Sequence, residues 1–165
     1  MAYIMITPEE LRSRFDYNPE TGIFTSKIKR GVLRIGATVG CTYNGYIRIG
    51  IDYRYYLGHR LAWLYMTGEW PSQVDHRNGV RNDNRWQNLR IATHTQNHQN
   101  KSILCTNKSG YKGVQPSSKT KNRWIATIKV GLKIKYLGTF DCPKKAHLAY
   151  IHAANEHFGE FARAR

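Results

Sequence analysis

Asp75 and His76 stand side by side in Val74-Asp75-His76. Asn88 follows His76 by 12 positions, and Asn97 follows Asn88 by 9. An imidazole titrates near 6.5 and can take a proton from water at neutral pH. A carboxylate and an amide carbonyl are hard oxygen donors suited to a small divalent cation, whose shell a phosphate and water can complete. Such a cation puts positive charge at a departing oxygen. These are the needs of phosphodiester hydrolysis. His76 would be the base, Asp75 and Asn97 the cation ligands. Asn88 would hold the imidazole through a backbone or side-chain hydrogen bond. On residue type and spacing alone, the competing reading is a hydrogen-bonded turn histidine among turn-forming asparagines. His94 and His98 compete with Asn97 as ligands, against phosphate contact or solvent exposure. His59 is expected to pack near the site, and Asn82 and Asn84 to shape a loop.

To bring these residues together the chain needs a strand, a loop, a returning strand and a helix. Val74–His76 reads as the first strand and Asn78-Gly79 as a turn. Residues 88–93 read as the returning strand. Thr93 and Gln96 form a capping box that opens a helix carrying Asn97 and His98. Ahead of this, residues 59–66 are helical in pattern and stop at Thr67-Gly68. The first third is predicted to contain a capped helix from Thr7-Pro8 to about Phe15. A turn at Asn18–Gly22 follows, then strands at 23–28, 45–51 and 55–57. After a linker around 101–109, two strands are predicted around 123–130 and 133–140. A helix opened by Asp141 and Pro143 presents Ala146, Ala149, Tyr150, Ala153 and Ala154 on one face. A three-stranded sheet with one helix across its back is the economical arrangement. Lys133 and Lys135 share strand parity with Leu137, so the register of the third strand is open to a slip.

Composition narrows the partner. The 165 residues hold 26 Lys+Arg against 11 Asp+Glu, a net charge of +15, and 41% are hydrophobic. A packed protein is expected rather than a disordered basic tail. Of that charge, +9 falls in residues 108–165, and no acid occurs between Asp83 and Asp141 while eleven Lys or Arg do. A field of this kind attracts a polyanion, and nucleic acid leads. No apolar run approaches the roughly 20 residues of a membrane span. The start lacks a basic-then-apolar secretory pattern. Cys41, Cys105 and Cys142 are odd in number and unpaired in spacing, as expected of ordinary thiols in a reducing compartment.

The pieces His59-Arg60-Leu61-Ala62-Trp63, Gly68-Glu69-Trp70-Pro71, Val74-Asp75-His76-Arg77-Asn78-Gly79, Asn82, Asn84, Asn88-Leu89-Arg90 and Gln96-Asn97 occur in an order that resembles the HNH endonuclease family. Within it they are closest to the small phage and intron-encoded kind, over about residues 55–101. Gly22-Ile23-Phe24 and Gly45-Tyr46-Ile47-Arg48 look like the segment that often precedes this module. The resemblance implies a ββα-metal nuclease with His76 as general base, Asp75 and Asn97 as metal ligands and Asn88 as the central asparagine orienting the base. The third position is often His in the wider family and is Asn97 here, an H-N-N site. That donor set points to Mg²⁺ or Mn²⁺ rather than tightly held Zn²⁺.

Tyr111-Lys112-Gly113-Val114, Trp124–Ile128, Tyr136–Phe140 and the alanine-rich helix through Phe158-Gly159 resemble the AP2 domain, over about residues 109–162. In that family the sheet enters the DNA major groove. The matching DNA-facing positions are Lys112, Gly113, Gln115, Arg123, Trp124, Thr127, Lys129, Tyr136 and Thr139. Core packing is the alternative for Trp124 and Tyr136. Gln115, Ser117 and Lys129 stand where plant members read guanine with arginine, so a GC-rich preference does not transfer.

The expectation is an α+β chain in four parts. Residues 1–54 form an N-terminal α+β segment and 55–101 the nuclease module. Residues 102–108 are a linker, and 109–162 an AP2-like domain. The expected function is a metal-dependent, homing-type endonuclease that nicks double-stranded DNA to 5′-phosphate and 3′-hydroxyl ends. It would act as a monomer, with a dimer on DNA as the alternative. Neither a membrane nor a small-molecule cofactor is expected. The cytoplasm is the expected location, that of a bacterial host if the protein is phage-encoded. The rival is a catalytically silent DNA-binding regulator built from the same two modules.

Overall fold

Thr7 holds an extended backbone, and its hydroxyl accepts from the Glu10 N–H at 3.2 Å. With Pro8 pre-set for the first turn, this starts α1 (Pro8–Arg14). The computed structural model describes residues 5–93, 96–97 and 107–162. It divides into two units, one ending at Thr93 and the other beginning at His94. The whole is a mixed α and β structure with several small sheets.

In the first unit α1 runs straight into β1 (Phe15–Asn18), which pairs antiparallel with β2 (Ile23–Ser26). A second sheet orders β3 (Cys41–Tyr43), β4 (Tyr46–Ile51) and β5 (Arg54–Leu57). Next comes α2 (Gly58–Thr67), closed by Gly68 at φ 79°, whose N–H reaches the Leu64 carbonyl at 2.9 Å. Then β6 (Val74–His76) pairs with β7 (Leu89–Ile91).

One core joins these pieces. Leu11, Phe15, Tyr17, Phe24, Ile49, Ile51, Leu61, Leu64, Val74 and Leu89 pack in a single buried cluster. Full burial of each leucine contributes about 1.5–3 kcal/mol. The N-terminal segment and the β6–β7 ribbon therefore share one core. The expected division at residue 54 falls inside the β4–β5 hairpin.

Gln96 and Asn97 are helical. The rest of the helix expected there, with His94 and His98, lies outside the described residues, as does the expected linker up to residue 106.

The second unit orders β8 (Val114–Pro116), β9 (Trp124–Val130) and β10 (Lys133–Phe140) as an antiparallel sheet β10-β9-β8. Then α3 (Pro143–Phe158) packs against all three strands. Ala146, Ala153 and Ala154 are buried with Ala126, Ile128 and Tyr150. A bulge between Tyr136 and Gly138 resolves the parity of the third strand. It turns Leu137 to the core while Tyr136 and Thr139 come together, their hydroxyls 2.6 Å apart. No helix among the described residues is long and apolar enough to cross a membrane.

Candidate active site

Antiparallel pairing sets Asp75 opposite Arg90 and His76 opposite Leu89. Asp75 and Arg90 are both buried, and one carboxylate oxygen, Oδ2, accepts from Arg90 Nε at 3.0 Å and Nη2 at 2.8 Å. A charge so deeply placed needs such a partner.

His76 ends β6 where the chain leaves for a loop, residues 77–88. Its Nε2 lies 3.1 Å from Asn84 Oδ1. An oxygen there requires the Nε2–H tautomer, which keeps the ring's lone pair on Nδ1. Burial lowers the His76 pKa below the ordinary imidazole value, with the Asn84 bond and the charge of Asp75 acting the other way. The ring is therefore neutral near pH 7.

Asn88 works on the loop. Its Oδ1 accepts from the Asn78 N–H at 3.0 Å, and its Nδ2 donates to the Asp83 carbonyl at 2.7 Å. Its own carbonyl accepts from the Arg77 N–H at 2.8 Å. Arg85 clasps Asp83 through Nε at 2.8 Å and Nη2 at 2.6 Å, and these bonds hold that carboxyl down to about 2. Asn88 thus fixes the segment that presents Asn84, and Asn84 meets the imidazole directly.

Asn84 is only 2% exposed and is itself braced from the N-terminal hairpin. The Tyr17 hydroxyl donates to its carbonyl at 2.6 Å, and the Trp86 N–H donates to the Pro19 carbonyl at 2.8 Å. Gly22, at φ +73°, lies so close that an added Cβ would fall on the backbone of Asn84 and Arg85. Sequence reasoning assigned Asn84 to loop shaping and gave Tyr17 no role. The one available signal was that Asn84 stands within the motif order at all.

His59, near the start of α2, packs edge-on against His76 with ring centroids 4.9 Å apart, and Tyr46 lies 5.4 Å from His59 and 6.1 Å from His76. Burial, then the neighbouring His76 and Arg60, push the His59 pKa down to about 3. Its Nδ1 is buried without a hydrogen-bond partner among the described residues.

Asn97 is half-buried in the helical pair 96–97, which belongs to the second unit. No group of three or more His, Cys, Asp or Glu gathers as a metal set among the described residues. Asp75 offers a carboxylate oxygen of the kind a small divalent cation takes.

In the second unit, Ala126 and Ile128 face the helix, so Ile125, Thr127 and Lys129 take the open side of β9. Cross-strand pairing adds Gln115, Ile134, Tyr136 and Thr139 to that side. Arg123 reaches the Thr139 carbonyl at 3.4 Å. Trp124 departs from expectation. It alternates onto the helix side and packs against the cluster of Val114, Ala126 and Ala146. Gly113 also answers to packing, since an added Cβ at its φ of +75° would fall on the Tyr150 ring. The Lys112 carbonyl pairs with His147 Nδ1 at 3.1 Å.

No curated protein matches the chain. The HNH endonuclease family model matches residues 56–99, the stretch that contains α2, β6, the asparagine-pinned loop and β7. The match supports reading this segment as an HNH nuclease domain.

Proposed function

We propose that the chain is a divalent-cation-dependent endonuclease that nicks duplex DNA. The observation that carries this reading is a buried, neutral His76 whose Nε2–H is held by Asn84, next to the buried carboxylate of Asp75, inside the segment that matches the family. His76 Nδ1 takes the proton of the attacking water. Asn84 keeps the ring from turning as its charge changes. Asn88 and the Asp83–Arg85 clasp hold the loop in register. Asp75 and Asn97 would hold the cation, with Arg90 fixing the Asp75 carboxylate in one orientation. When bound, the cation supplies positive charge at the departing 3′ oxygen. The ends are then 5′-phosphate and 3′-hydroxyl, and one such site per chain suits one strand at a time. Site choice falls to the AP2-like open sheet face, through Gln115, Arg123, Thr127, Lys129, Tyr136 and Thr139.

Supercoiled plasmid incubated with the protein and Mg²⁺ should convert to open circles. EDTA and His76→Ala should each abolish the conversion. Immediate linear product would replace nicking with paired cutting. The Asp75–Arg90 ion pair favours a second reading, because it already neutralises the carboxylate. In that reading the domain is a scaffold and the chain a DNA-binding regulator. Duplex binding without cleavage in either Mg²⁺ or Mn²⁺ would select it.

A further inference from the structure

The acids of the first unit are largely committed. Asp52 faces Arg14 and Arg30, Glu10 faces Arg14, Asp16 faces Lys27, Asp75 faces Arg90 and Asp83 faces Arg85. Arg48 and Arg81 make no ion pair among the described residues, and both lie on tyrosine rings. Arg48 is sandwiched between Tyr43 and Tyr55, with 4.1 and 3.9 Å to the two centroids. Its Nε is buried without a hydrogen bond, and its terminal nitrogens make none within the described residues. Arg81 lies over Tyr46 at 5.1 Å and donates one bond, to the Asn44 carbonyl at 3.2 Å.

Strand alternation puts these groups on one face. Ile49 and Ile51 of β4 are buried, so Tyr46 and Arg48 take the opposite side, where pairing sets Tyr43 across from Tyr46 and Tyr55 across from Gly50. Tyr43 and Tyr55 are exposed, and no Asp or Glu occupies this side of the three strands. Tyr46 carries the face to His76, 6.1 Å from ring to ring.

We infer that this outer face of the β3–β4–β5 sheet is a second docking surface for the duplex, with Arg48 and Arg81 contacting phosphates beside the reacting strand. It rests on the duplex-DNA reading above and adds a contact region in the N-terminal segment, apart from the AP2-like face. Charge complementarity and continuity with His76 select the occupant. A guanidinium clamped between rings is already ordered, and its outer edge offers the paired donors that a phosphate accepts.

The test measures binding of the full chain to a labelled mixed-sequence DNA duplex by fluorescence anisotropy, in EDTA so that cleavage plays no part, over a series of KCl concentrations. Arg48→Gln keeps a planar side chain between the tyrosines and removes the charge. It should weaken binding about tenfold at low salt. It should also shrink the slope of log K against log salt by about 0.9, and the double variant with Arg81→Gln by about 1.8. Arg48→Lys should keep the slope. Arg30→Gln, an ion-paired arginine of the same unit, should change neither. Circular dichroism melts establish that each variant is folded.

If the wild type binds duplex and both Gln variants match its slope, this surface is overturned and the nuclease reading stands. If the wild type ignores duplex DNA, both fall. A wild-type oligomer that dissociates on Arg48→Gln, with DNA affinity unaltered, assigns the face to a second copy and overturns the inference.

Discussion

An amide as buried as that of Asn84 is costly unless its polar atoms are answered, and here one of them is answered by the imidazole. Asn84→Ala removes that partner from His76 Nε2. Nicking should fall roughly 10- to 100-fold, within the range that a positioned general base contributes, and stability by about 1–3 kcal/mol. Plasmid nicking rates and urea melts of the same preparation separate the two effects. His59 makes a different prediction. Its pKa is about 3 in the folded protein, below the ordinary imidazole value, so the unfolded chain takes up the proton first as pH falls. Stability is therefore complete above about pH 6.5 and declines toward pH 3, at up to about 1.4 kcal/mol per pH unit for each such histidine. His76, shifted in the same direction, contributes with the same sign. His59→Phe keeps the ring and, because Nδ1 has no partner among the described residues, breaks no bond at that atom. Urea midpoints measured from pH 8 to pH 4 should lose one proton's worth of slope in this variant.

The β1–β2 hairpin is a brace for the loop that presents Asn84, and its fit depends on Gly22. A side chain at Gly22 meets both an unfavourable backbone region and the main chain of Asn84 and Arg85, neither of which can give cheaply. Gly22→Ala should cost about 2 kcal/mol or more and lower the thermal midpoint. The β6–β7 ribbon depends in turn on its buried pair. Arg90→Met removes the guanidinium that faces the buried Asp75 carboxylate, a loss of about 3–5 kcal/mol that a urea melt would register. How much of this was legible follows from what each element leaves in the sequence. α2 is bounded by Gly68 and shows its apolar face, and Asp75, His76 and Asn88 stand in a recognisable order. β1 left only four residues directly after a helix, Phe15 to Asn18, and reads as the helix's tail. β3 has all three residues exposed, so no alternation marks it. The bulge at Leu137 was visible only as a conflict of parity with Lys133 and Lys135. Asn84 sits in an Asn-Asp-Asn run where nothing in the sequence marks which amide turns inward. That choice is made by Tyr17 and Gly22, more than 60 positions away.

The charge of the whole chain is uneven, and the imbalance predicts how its DNA affinity behaves. Residues 108–165 carry +9 of the +15, yet on the open sheet face the cations among the expected contacts are Arg123 and Lys129, the rest being Gln115, Thr127, Tyr136 and Thr139. Counterion release is counted in phosphates neutralised, so only the cations set the salt slope, while the polar and aromatic groups act on sequence preference. Lys129 is exposed and makes no hydrogen bond or ion pair among the described residues, which leaves its ammonium available to a phosphate. Lys129→Ala should reduce the log–log slope by about 0.9 and weaken all duplexes alike. Tyr136→Phe removes the hydroxyl paired with Thr139 and leaves the ring. It should keep the slope and alter discrimination between sequences instead. Anisotropy titrations of both variants against two unrelated duplexes, repeated across salt, give four slopes and two affinity ratios. A slope lost with Tyr136→Phe, or kept with Lys129→Ala, would move the phosphate contacts off this face and onto the lysines and arginines around it.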